Sequence, residues 1–471
     1  MSKLKKRVSI AMIAGLSLAL AACGSGSGTS GSDGGSASSG SGSGTSASGG
    51  SGGGSASGEK IKLQYWANSR HDSQYIEDKI AKFNETNGKN IEVEITIMAE
   101  NYSQSLDLAF ASNQAPDVFE KPDRTMYEKG YIEPLNDYLD DEMYKKFESA
   151  FVNGSSVFNG DIISLGNYGT TIRLVYNAEL FEAVGLEPPK SLDEMVEAAK
   201  KITEYGKDKG IYGWAMNYKN AGSSLGRSLS AIAQLEGVPG GYDFTKARYD
   251  FTPWKPIVEA FRQMYVDGST IPGAESLDID PLRAQFAEGN IGMYISYSYE
   301  PGVYQNQFPA KIRWAAAQVP TIDGSEPKGV IGTGGTTWLA ISSESKHKDA
   351  AWEFMKFMYS DEVLVGYHEE GLGLSVLPHI LAQAEDPDIP GMEYFIPTKY
   401  DGNWPVQPAI SIEGKSVWDE LMAYILVGGD LDKILADVTK RYNDALDRLI
   451  ADGTPVDPIP DFKPQDLQVE K

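Results

Sequence analysis

Residues 168–194, YGTTIRLVYNAELFEAVGLEPPKSLDE, leave the chain few ways to fold. A glycine-containing turn runs into an apolar strand over 172–176, and an amphipathic helix follows. That helix sets Leu180, Phe181 and Val184 on one face at helical spacing. Gly185 offers the left-handed residue that ends a helix, and Pro188-Pro189 bars its continuation. Ser191, with Glu194 three residues on, forms a capping box that starts a second helix. A strand, a helix, a breaker and a helix in this order belong to an α/β protein.

The same alternation runs from the start of the folded part. Ile61, Leu63 and Tyr65 alternate with polar residues up to Trp66, a first strand. A polar loop of Asn68, Ser69, Arg70, His71 and Asp72 follows, then a helix with Ile76, Ile80 and Phe83 on one side. Ile91, Val93, Ile95 and Ile97 form the cleanest period-two run in the chain. A helix around 106–110 leads past Pro116 to a short strand at Val118-Phe119. Such alternation predicts a parallel or mixed sheet covered by helices.

Two N-terminal segments are not fold. Lys3, Lys5, Lys6 and Arg7 precede a short apolar run over 8–20, closed by Ala21-Ala22-Cys23. This is the pattern of a secretory signal, too short for a spanning helix. Residues 1–22 are read as signal peptide and Cys23, the sole cysteine of 471 residues, as the lipidation point of a lipobox. A single cysteine excludes a disulfide or a cysteine-based zinc site within one chain. Residues 24–58 are nearly all Gly, Ser, Ala and Thr, a composition without a core that acts as a tether with a reach of about 30–35 Å. The net charge of −24 argues against nucleic acid and against docking on anionic lipid, which both need clustered Lys and Arg. The expected membrane contact is through the lipid anchor only.

Enzyme motifs occur as decoys. Gly222-Ser-Ser224-Leu-Gly226 fits G-x-S-x-G, as does 49–53 in the linker, yet no strand runs directly into either turn. Gly332-Thr-Gly334-Gly-Thr lacks the last glycine of the G-x-G-x-x-G fingerprint and the following helix of a dinucleotide site. No H-E-x-x-H or calcium-loop pattern is present, so no cofactor and no metal is expected. Paired carboxylates cannot be judged in so acidic a chain, which keeps an anchored carbohydrate-active enzyme as a rival reading.

The segments ASNQAPDVF (111–119), YEKGYIEPL (127–135), VYNAELFEAVGLEPPKSLDE (175–194), FAEGNIGM (286–293) and DAAWEFMKFMYSDE (349–362), with the turn at 371–378, resemble the extracellular solute-binding proteins of carbohydrate ABC importers, the maltose-binding kind. The resemblance covers about residues 61–450. One departure is Leu192, where the family usually carries tryptophan. It implies a two-lobed periplasmic-binding-protein fold of type II, with a ligand cleft between lobes joined by several hinge crossovers. Crossings are expected near 166–169, 322–332 and 379–390. The first lobe would comprise 59–166 plus 333–380, the second 167–332 plus 381–453, and 454–471 a tail of no assigned role. The implied function is a monomeric, lipid-anchored receptor on the outer face of the cytoplasmic membrane, in a Gram-positive cell. It would pass a carbohydrate to permease subunits without covalent chemistry. A non-sugar cargo, such as a glycerol phosphate ester or peptide, is the alternative that keeps the fold, and Arg70, Lys121, Arg173 and Lys219 leave it open.

Sugars present C–H faces to aromatic rings and hydroxyl edges to polar side chains, and such groups converge where strands end at an open α/β cleft. Trp66, Asn68 and Arg70 follow the first strand, with core packing the competing role for Trp66. Glu120 and Asp123 follow the third strand, and Tyr168 lies at the first crossing. Asn217 and Tyr218 follow the strand at 212–216. Tyr297 and Tyr299 end the strand in NIGMYIS, and Tyr299 falls where the resemblance implies a stacking aromatic. Trp338 follows the glycine-rich 332–335 loop, expected to let backbone approach a ligand, and Trp404 sits in a loop between Gly402 and Pro405. Trp352 and Trp418 lie in helical patterns and are read as packing.

Overall fold

The computed structural model describes residues 60–98 and 101–468. The signal segment, Cys23 and the tether lie outside the described residues. Two sheets organise the fold. The first has strand order 91–97, 61–67, 118–120, 339–342, 132–133. Its first three strands are parallel, with Ile61 opposite Ile91 and Tyr65 opposite Val118. The strand Leu339–Ser342 enters antiparallel from far along the chain, Ala340 opposite Phe119. Leu63, Tyr65 and Ala67 turn into the core while Lys62 and Gln64 face outward, as the alternation requires.

The second sheet has order 314–317, 172–177, 291–297, 212–214. Its central strand Ile172–Asn177 is flanked antiparallel on both sides, and Ile291–Tyr297 runs parallel to Tyr212–Trp214. Helices cover both faces, so Ile172 and Leu174 on one face and Val175 on the other are all buried.

The opening unit folds as its residues dictate. Asn177 caps the helix Ala178–Val184 by accepting from the backbone N–H of Glu179 and Leu180, and Gly185 closes it at φ 68°. Ser191 Oγ accepts from Glu194 N at 3.2 Å, and the Glu194 carboxylate reaches back to Lys190 N at 2.7 Å. That reach extends one residue beyond the usual capping box. Leu192 is buried there without help from a larger ring. Trp352 is buried beside Tyr138, and Trp418 stacks on Trp254 at 5.5 Å.

The chain forms a two-lobed α/β structure in which each sheet has its own core. One core gathers residues from Leu63 to Leu165 and from Trp338 to Ile380. The other gathers residues from Ile172 to Ile331 and from Val417 to Leu446. Three segments run between them, side by side. Tyr168–Gly169 pairs antiparallel with Leu374–Ser375, and Thr170 N donates to Thr333 O at 2.9 Å. A Cβ on Gly169 would meet Thr333 O at 2.7 Å, and one on Gly335 would meet Gly169 N at 3.0 Å. Gly335 is therefore spent on backbone packing between crossings, Gly332 meets only the Gln234 side chain and Gly334 has open space around it. None of the three lines the cavity between the lobes, a correction to the expectation that this loop admits a ligand. Residues 454–468 lie along the second lobe: Ile459 N donates to Phe244 O, Phe462 packs on Phe244, and Gln468 Nε2 donates to Pro327 O. No helix among the described residues is long and apolar enough to cross a membrane.

Candidate binding cleft

A cleft of about 430 Å³ opens between the lobes. The first lobe lines it with Asn68, Ser69, Arg70, His71 and Lys121, and the crossing strand adds Tyr168 and Thr170. The second lobe contributes Asn220, Ser223 and Arg227 from one short helix, Asp278, Asp280 and Arg283 around the start of another, and Tyr297 and Tyr299. The volume lies within the range of small-molecule sites, and the lining mixes aromatic faces with hydrogen-bonding groups.

Glu120 sets the shape of the first-lobe wall without lining it. Its buried carboxylate accepts from Asn68 N at 2.8 Å, Ser69 N at 3.0 Å and Tyr65 OH at 2.7 Å. Burial and the neighbouring Asp72 push its pKa up. The carboxylate so pins the loop that carries Asn68, Arg70 and His71. On the other side Asn217, also buried, donates from Nδ2 to Ser223 Oγ at 3.2 Å, and thereby holds a lining hydroxyl.

Several contacts bridge the cleft. Arg70 pairs with Asp280 at 2.7 Å, and Asp280 also accepts from Arg283 at 3.2 Å. Arg283 forks onto the buried carboxylate of Glu300, 2.9 Å at its shortest. The His71 ring stacks on Tyr299, centroids 4.4 Å apart and planes 24° from parallel. His71 Nε2 lies 2.9 Å from Leu372 O, which requires that nitrogen to carry a proton and donate. Burial lowers the His71 pKa against the opposing pull of Asp72. Gln307 donates across to His71 O at 2.6 Å. Burial, with Asp72 next in importance, raises the pKa of Tyr168. Among the described residues no group of three or more His, Cys, Asp or Glu could hold a metal ion.

Of the residues singled out in the sequence, Asn68, Arg70, Tyr168, Tyr297 and Tyr299 come together in the cleft lining. The others are placed elsewhere. Trp66 packs in the first lobe beside Tyr102 and Phe119, and its carbonyl accepts from Tyr102 OH. Asp123 caps the helix Arg124–Glu128 by accepting from Met126 N, and is used up as a cap. Tyr218 is buried against Tyr265 in the second core. Trp338 is 2% exposed and packs on Tyr359 and Tyr367. Trp404 donates from Nε1 to Val330 O at 2.7 Å and packs against Phe244 and Phe462. The cores compete for large aromatics, and here they took four of them.

The sequence reading missed Ser223 and Arg227, although Asn220, Ser223 and Arg227 stand at helical i, i+3, i+7 spacing on one face. It also missed Asp280 and Arg283, because acids and bases at a helix start read as capping residues. Thr170 carried no signal at all.

The sequence matches the family described as bacterial extracellular solute-binding protein over residues 67–364. The chain belongs to that family. A maltotriose-binding protein of Pyrococcus abyssi is 25% identical over 293 residues, 60% of this chain and 59% of that one. A binding protein of Brucella abortus is 26% identical over 248 residues, 50% of this chain and 55% of that one. The chain therefore spans little more than half the length of these relatives. In structure, the GacH receptor of Streptomyces glaucescens, solved unliganded and with acarbose, aligns with a TM-score of 0.65 at 19% identity. That match covers 83% of this chain and 99% of the receptor. A solute-binding protein of Thermotoga lettingae bound with tagatose aligns equally well, TM-score 0.65 at 19% identity, over 82% of this chain and 100% of that one. The fold is that of the type II two-lobed binding proteins, and the family works outside the cytoplasm.

Proposed function

We propose that this protein is the substrate-binding component of an ABC importer, capturing a carbohydrate, an oligosaccharide, between its lobes and delivering it to the permease. The observation that carries the reading is a cleft walled by both lobes, whose lining joins three tyrosine rings to polar and charged side chains. The relative named for maltotriose and the neighbours solved with acarbose and tagatose support a sugar cargo. Closure of the lobes around the ligand is the working step, and the closed form is what a permease would read. No bond of the cargo is broken. Asn68, Arg70, Tyr168, Tyr297 and Tyr299 are the proposed contacts. The lobes divide as 59–166 plus 333–380 and 167–332 plus 381–453.

Thermal unfolding of the purified chain against a panel of neutral oligosaccharides tests this. A ligand at one hundred times its Kd adds about 2.7 kcal/mol of stability. A panel in which no saccharide raises the Tm overturns the carbohydrate reading, and release of smaller sugars during incubation overturns the receptor reading. Anchoring through Cys23, on the outer face of a Gram-positive cytoplasmic membrane, belongs to the same proposal. Cys23→Ala should shift the protein from the membrane to the soluble fraction, and retention on the membrane would sink the anchor.

A further inference from the structure

Three arginines are buried among the described residues, Arg173, Arg227 and Arg283. Two of them are matched by carboxylates. Arg173 holds Asp401 through both terminal nitrogens, at 2.9 and 2.8 Å, and Arg283 forks onto Glu300. Arg227 is different. Its Nε donates to Ser223 O at 3.1 Å, one terminal nitrogen to Ser223 Oγ at 2.9 Å and the other to Ser296 Oγ at 3.3 Å. All three acceptors are neutral, and the Tyr297 ring lies 5.1 Å from the guanidinium carbon. Glu300 is reached only through Ser296, whose hydroxyl donates to it at 2.6 Å, and that carboxylate already serves Arg283. With three donated, two of the five guanidinium N–H groups remain, on a side chain that lines the cleft. A buried cation without a counter-charge is costly unless a ligand supplies one.

The lining carboxylates are not available to do so. Asp280 is held by Arg70 and Arg283. Asp278 caps the helix Ile279–Ala287 through Ile279 N and lies 3.7 Å from Lys219. Across the cleft Lys121 Nζ donates to the neutral Asn68 Oδ1 at 2.8 Å, and so adds a second cation to the facing wall. An acidic chain thus presents a cleft whose acids are matched and whose bases are in surplus.

We infer that Arg227 is an anion subsite and that the cargo is an acidic saccharide, its carboxylate or phosphate oxygens taking the free N–H pair of the guanidinium. The inference rests on the carbohydrate reading and narrows it. Arg is suited to this because its planar fork matches two oxygens of one oxyanion. Ser223 and Asn220 on the same helix face would add neutral hydrogen bonds to the sugar carrying the charge.

Titration calorimetry on the full chain tests it, with trigalacturonate as the carboxylate probe and glucose 6-phosphate as the phosphate probe. Maltotriose and raffinose serve as neutral probes, and sn-glycerol 3-phosphate as an anion without a sugar ring. An acidic saccharide should bind at least tenfold tighter than the neutral ones, and more weakly as salt rises. Arg227→Gln should weaken it roughly ten- to a hundredfold while shifting the neutral probes far less. Arg227→Lys should recover part of the loss, and Arg448→Gln, an exposed charge on another helix, should change nothing. If Arg227→Gln fails to fold, the preference and salt dependence of the wild type, with the Lys variant, decide. Neutral sugars binding as tightly as acidic ones, or losing as much in Arg227→Gln, overturn the acidic cargo and leave the carbohydrate reading standing. Glycerol phosphate binding in an Arg227-dependent way, with no saccharide bound, keeps the anion subsite and overturns both sugar statements. Silence from every probe overturns both readings.

Discussion

At the scale of single residues, position relative to the cleft counts for more than residue type. Tyr299 and Trp338 both follow or precede strands and both carry a large ring, yet Tyr299 lines the cleft and Trp338 is core. In this conformation the Tyr299 ring already has a partner, the imidazole of His71 from the opposite lobe. A sugar that stacks on Tyr299 must take the place of His71 or use another part of the ring. Tyr299→Ala removes both the proposed ligand platform and this cross-lobe contact. It should weaken saccharide binding at least tenfold by calorimetry while the circular dichroism spectrum stays native, and near wild-type affinity would take Tyr299 out of the site. Glu120 makes the opposite point. It looked like a ligand contact because it follows a strand, but its carboxylate is spent on two backbone N–H groups and a tyrosine. Nothing in a linear sequence says whether an acid at a strand end turns outward to a ligand or inward to a loop.

At the scale of elements, caps and breakers were legible because they are local. Asn177, Gly185 and Ser191 act through atoms within four residues of their own positions, so residue type and spacing suffice to read them. The crossings are not local. Gly335 takes φ 92°, and a Cβ there would come within 2.7 Å of Val376 Cγ1 and 3.0 Å of Gly169 N and Tyr168 C. Its need for glycine comes from two strands some 40 and 170 residues away along the chain, as the pairing of 168–169 with 374–375 shows. Gly335→Ala should cost about 1–3 kcal/mol in chemical denaturation, and an unchanged midpoint would mean that the crossings pack less tightly than described. Gly185→Ala, at a helix end with open space around it, meets only the backbone penalty.

At the scale of the whole molecule, three crossings join two cores, and pH acts on the fold through buried histidines. Burial lowers the pKa of His71, His368 and His379. In the unfolded chain each would titrate near ~6.5, so below that value the unfolded state binds more protons than the folded one. Their contribution is complete above about pH 6.5 and is lost as pH falls through their folded values. Glu120 and Glu370, with pKa values raised chiefly by burial, act in the opposite sense at lower pH. Denaturant midpoints should therefore drop between about pH 7.5 and 5.5. His71→Gln should drop less over the same window, and a variant with the wild-type slope would show that His71 titrates alike in the folded and unfolded chain. His71 faces Tyr299 and Arg283 from the second lobe and Asp72, Lys121 and Tyr367 from the first, so its charging would also bear on the stacking between the lobes.

The sequence alone determined what depends on neighbours in the chain: alternating strands, amphipathic helices, caps, the α/β class and a set of family motifs. The tertiary structure decided what depends on distant segments. It sent Trp338, Trp404 and Tyr218 to the cores, because burying a large ring stabilises a core wherever space exists. It turned Arg227 and Arg283, placed on ordinary helices, toward one cleft, and matched only one of them with a carboxylate. Charge pairing across space has no signature in spacing along a chain, so the unmatched guanidinium of Arg227 became visible only once the lobes were side by side.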